Sequence, residues 1–206
     1  MRYAISDIHG CNKTLRALLT KLKLKKKDTV FFLGDYIDRG PDAWGVITTV
    51  TTMPCKTVHL KGNHEALMIS YFDNNGDDDG LWFVNGGLKT MESIPKNEIA
   101  NVVDWMKKLP LYHEEPDYFL VHANFSSFGS NPFIEDDMLW SRWPSPDMDK
   151  PVINGHTPTR IANRVNNKGN ICIDGGCVFK TKEGLGNLVA YCLDIKEFIV
   201  QENIEQ

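Results

Sequence analysis

The 206-residue chain reads as one α/β domain (in the α+β sense) spanning residues 1–206, with two packed sheets, and three observations lead there. Short apolar runs alternate with helical periods through the first half; strand-like runs dominate the second half; and polar residues able to do chemistry sit just after the apolar runs. Taken in order, Tyr3 to Ser6 is a strand, and Leu15, Leu18, Leu19 and Leu22 recur at helical spacing. Val30 to Leu33 is the next buried strand, which completes a βαβ unit. Pro41 suits the first turn of a second helix carrying Val46, Ile47 and Val50. Thr57 to Leu60 is a third strand, and Glu65 to Phe72 a third helix. The polar stretch Asp73 to Gly80, with Asp77-Asp78-Asp79, breaks the pattern as a solvated loop. Ile99, Val102, Val103, Met106 and Leu109 form an amphipathic helix closed by Pro110. The remaining strands are Tyr118 to Val121, Val152 to Ile153, Ile171 to Ile173, Leu188 to Leu193 and Glu197 to Val200.

Composition narrows the class. With 23 basic against 27 acidic residues and a net charge of −4, a nucleic-acid-coating surface is not expected. The five cysteines form neither a CxxC pair nor a dense framework, so reduced thiols in a cytoplasmic protein are expected. The opening Met1-Arg2-Tyr3-Ala4-Ile5 lacks the basic and apolar regions of a leader, and no apolar run approaches membrane-spanning length, so no membrane partner is expected.

The chemistry lies in Asp7-Ile8-His9-Gly10, Gly34-Asp35-Tyr36-Ile37-Asp38-Arg39-Gly40, Gly62-Asn63-His64-Glu65, Val121-His122-Ala123 and Gly155-His156-Thr157-Pro158. Each follows an apolar strand, where an open α/β sheet presents its crevice. Carboxylates and imidazoles gathered there are costly unless something neutralises them, and divalent cations do so. The mix of Asp, His and the Asn63 carboxamide suits Mn, Fe, Zn or Co better than an all-oxygen Mg or Ca site. Asp-x-His alone is weak evidence. The five fixed positions of Gly-Asp-x-x-Asp-Arg-Gly, in contrast, arise by chance at about one site per million.

With Asp35 lying 28 residues after Asp7 and Asn63 28 after Asp35, the chain resembles the phosphoprotein phosphatases of the calcineurin-like metallophosphoesterase superfamily. Small phage and bacterial members, typified by lambda phosphatase, are the nearest in motif order. The resemblance, from Asp7 to about Gly176, implies a β-sandwich of two mixed sheets flanked by helices and a dimetal site, with Mn as first choice. It implies one metal on Asp7, His9 and Asp35, and a second on Asp35, Asn63, His122 and His156. A hydroxide bridging the two would attack phosphorus in line. Arg39 and Arg142 match the phosphate-holding arginines, facing substrate beside Asn63 and His64. His64 with Asp38 matches the acid pair, His64 staying protonated until it meets the leaving group. A planar guanidinium grips phosphate through two parallel hydrogen bonds, which favours Arg over Lys in the clamp. His122-Ala123-Asn124 departs from the usual His-Ala-Gly, and Asn is the next residue to tolerate a positive φ.

The resemblance implies a metal-dependent serine/threonine protein phosphatase acting on phosphorylated proteins or peptides, in a site left open by the segments Asp73 to Gly87 and Asn124 to Met138. Its rival is a symmetrical dinucleoside tetraphosphate hydrolase with a nucleotide substrate, or a broad phosphoesterase. Relatives of that kind typically carry Ala at the second Asp of the long motif and Asp after Asn-His, so Asp38 and Glu65 weigh toward phosphomonoesters. Thr157-Pro158 after His156 weighs against a nuclease, which would place another His there. A non-catalytic phosphopeptide-binding module would have lost a ligand or a clamp, and none is missing. Asp174, ending a strand near the site, reads as support for the ligands rather than as a ligand. His59 and His113 read as satisfied or surface histidines, and Trp140 and Trp143 as packing residues.

Overall fold

In the computed structural model all residues are described except 75, 77–79, 161–164, 167, 168, 181 and 206. Residues Arg2–Ile5 (β1), Thr29–Phe32 (β2) and Lys56–His59 (β3) are parallel strands, connected by the helices Asn12–Leu22 (α1) and Ala43–Thr51 (α2). Asp42 rather than Pro41 sets the start of α2: its carboxylate accepts the Gly45 N–H at 2.8 Å, an N-cap that leaves Pro41 one residue outside. Asn63–Asp73 (α3) follows β3 directly. Two short helices, Leu81–Val84 (α4) and Gly87–Ser93 (α5), then follow, the first inside the segment Asp73 to Gly87 expected to leave the site open and the second in a stretch for which the sequence suggested no element. Asp77, Asp78 and Asp79, expected in a solvated loop, lie outside the described residues. Ile99–Lys107 (α6) leads to Tyr112–Glu114 (β4) and Phe119–Val121 (β5). After them come Glu135–Trp140 (α7), Val152–Asn154 (β6), Ile171–Cys172 (β7), Asn187–Cys192 (β8) and Glu197–Glu202 (β9).

The strands form two mixed sheets. The first has the order β3-β2-β1-β8-β9, and the second the order β4-β5-β6-β7. Alternation along each strand explains why they pack face to face. Tyr3, Ile5, Val30, Phe32, Leu188 and Ala190 point to one face, against α1, α2, α3 and α6. Ala4, Phe31, Leu33, Val189 and Tyr191 point to the other, where they meet Leu120, Ile153, Ile171 and Ile173 of the second sheet. Each Leu, Ile or Phe buried in this way contributes about 1.5–3 kcal/mol. The outer face of the second sheet is covered by Phe125 and Met138. Among the described residues no helix is long and apolar enough to cross a membrane. The result is a pair of sheets whose parallel strands β1, β2, β3, β5 and β6 all end near one crevice.

Candidate active site

The loops at that crevice carry the candidate ligands. Asp7 and His9 follow β1, Asp35 follows β2, Asn63 opens α3, His122 follows β5 and His156 follows β6. Asp7, His9, Asp35, Asp38, Arg39 and His156 all hold positive φ, between 47° and 69°. An L-residue in that region costs of order 1–3 kcal/mol, and such strain gathers where the surroundings force a side chain into a required direction. Asn124, which the sequence allowed to be left-handed, is not. Its side-chain oxygen instead accepts hydrogen bonds from Asn154 and Ser145. Close approach also explains two glycines: a Cβ on Gly62 would overlap the Asp35 carboxylate, and one on Gly155 the Asp7 carboxylate.

Asp35 sits at the centre. His9, Asp35 and His64 form one group whose ligand atoms lie within 4.8 Å of one another, and Asp35, His122 and His156 form a second. Asp35 is shared by both. The Nδ1 of His9 lies 2.9 Å from the Ile37 carbonyl, and that of His122 lies 2.8 Å from the Leu33 carbonyl. A carbonyl only accepts, so the network assigns the proton to Nδ1 and leaves each Nε2 with a lone pair. The His9 lone pair faces the Arg39 guanidinium, which donates to it, and Asp35 Oδ2 at 3.5 Å, while His122 Nε2 is 3.5 Å from Asp35 Oδ1 and 2.9 Å from Asn63 Oδ1, both acceptors. Asn63 Oδ1 is also 3.0 Å from His156 Nδ1, while the buried His156 Nε2 has no hydrogen-bond partner among the described residues.

Charge tells the same story. Burial pushes the Asp35 carboxyl well above its usual range, with Asp7 adding repulsion, and burial likewise raises Asp7. Burial pushes His9 and His156 downward, so both favour the neutral ring. Carboxylates short of positive charge, facing imidazoles short of protons, fit divalent cations. Asp7 lies in the same cavity but belongs to neither compact group: both of its oxygens accept from the His156 backbone N–H, at 3.1 and 3.0 Å.

Beside this cluster, His64 Nδ1 and Asp38 Oδ2 are 2.6 Å apart, both fully enclosed. Burial raises Asp38 to about 7 and pushes His64 down, with Arg39 and His122 adding to the fall. Burial therefore disfavours the charged form of both partners, and works against the standing imidazolium expected at His64. Three residues without an expected role hold this arrangement. Thr90 donates its hydroxyl to Asp38 Oδ1 at 2.6 Å and accepts the Asp38 N–H at 2.8 Å, and the Trp82 indole N–H donates to the same carboxylate at 3.0 Å. Glu65 accepts the backbone N–H groups of Asp35, Tyr36 and Gly62 at 2.8–2.9 Å, tying two ligand loops together. The Gly62-x-x-Glu65 spacing, a capping pattern, was the available signal for Glu65. Nothing local announces Trp82 or Thr90.

The cavity over the cluster measures about 110 Å³ and brings together Asp7, His9, Asp35, Asn63, His64 and His156 with Arg39 and Arg142. Arg39 Nη1 is 2.9 Å from His9 Nε2, and its guanidinium lies over the Phe179 ring at 5.6 Å. Arg142 is exposed and donates to the His156 carbonyl at 3.4 Å and to Thr157 Oγ1 at 3.3 Å. Trp140 lines this cavity and Trp143 the next one, so neither is simply a packing residue. Asp174, buried, lines the cavity over the cluster and accepts the Gly176 N–H.

These features define the class: residues 3–186 match the calcineurin-like phosphoesterase family, and the chain belongs to it. Among its relatives, a protein of Photorhabdus laumondii named bis(5'-nucleosyl)-tetraphosphatase, symmetrical, is 32% identical over 130 residues, covering 60% of this chain and 44% of the relative. Relatives from Dechloromonas aromatica and Nitrosomonas europaea carry the same name. The chain thus spans less than half the length of these curated relatives. The fold is shared with the crystal structure of a proposed diadenosine tetraphosphatase, at TM-score 0.73, 19% identity and coverage of 100% of this chain and 94% of the other. A Saccharomyces cerevisiae serine/threonine phosphatase shares it at TM-score 0.68, 16% identity and coverage of 100% and 80%. The sequence relatives overturn the protein-phosphatase expectation: they bear the name of a dinucleotide hydrolase.

Proposed function

We propose that this protein is a divalent-metal-dependent hydrolase of dinucleoside polyphosphates that cleaves a tetraphosphate bridge at its centre. The observation that carries the reading is the convergence of two ligand groups sharing Asp35 with two arginines in a single cavity, and the relatives' name supplies the substrate class. Asp7, His9 and Asp35 would hold one cation and Asp35, Asn63, His122 and His156 the other, with Mn the first to try. When bound, such a pair lowers the pKa of water toward neutrality and offsets charge on phosphoryl oxygens. Arg39 and Arg142 clamp the oxygens of the bridge, and Asn63 and His64 face the same phosphate. His64, oriented by Asp38, moves the proton.

Asp38 and Glu65 do not weigh against an anhydride substrate. Glu65 spends its carboxylate on three backbone N–H groups and Asp38 on the dyad, duties independent of what is cleaved. A nucleoside diphosphate leaves as a weakly basic group, so the anhydride makes a small demand on His64. Five free cysteines fit a reducing cytoplasm. The test compares kcat/KM for diadenosine tetraphosphate and for a phosphoserine peptide at equal Mn and salt, with products separated by chromatography. The reading expects at least a tenfold preference for the dinucleotide, with ADP as the product. A preference for the peptide, or AMP and ATP as products, overturns it.

A further inference from the structure

A second cavity, of about 200 Å³, adjoins the metal cavity and shares Arg142 with it. Its lining is unlike the first: no carboxylate and no histidine among the described residues, but the amides Asn124, Asn154 and Asn170, the Ser145 hydroxyl and the Trp143 indole. Trp143 is 63% exposed, and among the described residues the one aromatic ring it meets is Phe128, edge-on at 6.2 Å, which leaves indole surface open to solvent. A large aromatic left uncovered beside a polar pocket is a stacking platform in search of a flat partner.

The amides are fixed rather than loose. Asn154 Nδ2 donates to the Ala123 carbonyl at 2.7 Å and to Asn124 Oδ1 at 3.0 Å, and Ser145 also donates to Asn124 Oδ1. Asn170 Oδ1 accepts the Val152 N–H at 2.9 Å. With those groups spent, the Asn124 side-chain NH2 and the Asn154 side-chain Oδ1 have no hydrogen-bond partner among the described residues, one a donor and the other an acceptor on two amides that touch each other and line the cavity. A carboxamide donor and a carboxamide acceptor are the groups that read the N7 acceptor and N6 amino donor of adenine in nucleic acids.

We propose that this cavity is a nucleobase site, taking the purine of one nucleoside while Arg142, on the ridge between the cavities, holds the phosphates running from that nucleoside to the metal cluster. The inference rests on the nucleotide reading above and adds where a base binds. Base stacking on an aromatic changes affinity by about tenfold to a hundredfold on truncation to alanine, so Trp143→Ala lowers kcat/KM for diadenosine tetraphosphate by at least tenfold more than it lowers that for p-nitrophenyl phosphate. Equal falls on both substrates overturn the site.

A binding measurement separates this from failure of the activity. In protein labelled with 15N-tryptophan, the Trp143 indole signal is the one lost in Trp143→Phe. AMP shifts it and ribose 5-phosphate, which lacks the base, does not. A shift with AMP in a protein that fails to cleave the dinucleotide sinks the activity and keeps the site. No shift with AMP, or the same shift with ribose 5-phosphate, rejects the site even where the dinucleotide is cleaved.

Discussion

Replacing Thr90 by Val keeps the shape of a fully buried side chain and deletes only the hydroxyl. Two hydrogen bonds go with it: the 2.6 Å donation to Asp38 Oδ1 and the 2.8 Å acceptance from the Asp38 N–H. A bond to an ionisable acceptor is worth about 1.5–3 kcal/mol, and a buried N–H left without a partner costs about 1–3 kcal/mol. Both fall on one residue and do not add fully, which gives about 2–4 kcal/mol. For a domain of this size each kcal/mol moves Tm by about 2–4 °C, so a fall of roughly 5–15 °C is expected. Loss of a donor to the carboxylate also raises the Asp38 pKa further, because the Thr90 bond is one of the influences that lower it. Urea and thermal unfolding at fixed metal concentration read the effect, with Thr90→Ser as the rescue that restores the hydroxyl. A Thr90→Val protein within 0.5 kcal/mol of the parent, or a Thr90→Ser protein as unstable as the Val one, would refute the view that Thr90 holds the dyad.

Two further outcomes follow from the same geometry. His64→Asn lowers kcat for an alkyl phosphate by about 10²–10⁴-fold and lowers it less for an aryl phosphate, whose leaving group needs no proton; equal slowing of the two assigns His64 an electrostatic role instead. His59, stacked on Phe32 at 5.4 Å with its buried Nδ1 lacking a hydrogen-bond partner among the described residues, is pushed by burial from 6.5 down to about 4. Its folded pKa lies below its unfolded one, so the stability it contributes is present above pH 6.5 and is lost as pH falls toward 4. At 1.36 kcal/mol per unit the shift sets a ceiling near 3 kcal/mol, and partial exposure brings this to about 1–2 kcal/mol. Urea midpoints at pH 7.5 and 4.5 should therefore differ less in His59→Leu than in the parent, and an unchanged difference contradicts the assignment.

Much of the architecture was legible because packing and pattern agree. Leu15, Leu18 and Leu22 are buried at the spacing that marked α1, and Val30 and Phe32 face opposite to Phe31 and Leu33, as a two-sided strand requires. The candidate ligands were legible because the chemistry is written in contiguous loops at strand ends. What escaped was short or long-range. The four residues of α4 and the three of β4 are below the length at which a period can be recognised. α7 carried a readable sign, since Glu135, Asp136 and Asp137 crowd its first turn where the helix dipole favours acids. Trp82 and Thr90 reach Asp38 across 44 and 52 residues of chain, a relation that no local window contains. Substrate class was not legible for a related reason. Asp38 and Glu65 read as markers of substrate in the sequence, whereas their carboxylates are engaged by His64, Thr90, Trp82 and three backbone N–H groups, and the cavity walls come from residues scattered along the chain.

The central claim, a two-cation centre organised by Asp35, is tested most directly by metal stoichiometry. The protein is stripped with a chelator, checked by elemental analysis, titrated with Mn by calorimetry and assayed on diadenosine tetraphosphate at each step. Two equivalents per chain, no hydrolysis in the stripped protein, and loss of tight binding at both sites in Asp35→Asn are the predicted result. Full hydrolysis by the stripped protein, or two tight equivalents retained by Asp35→Asn, would contradict it.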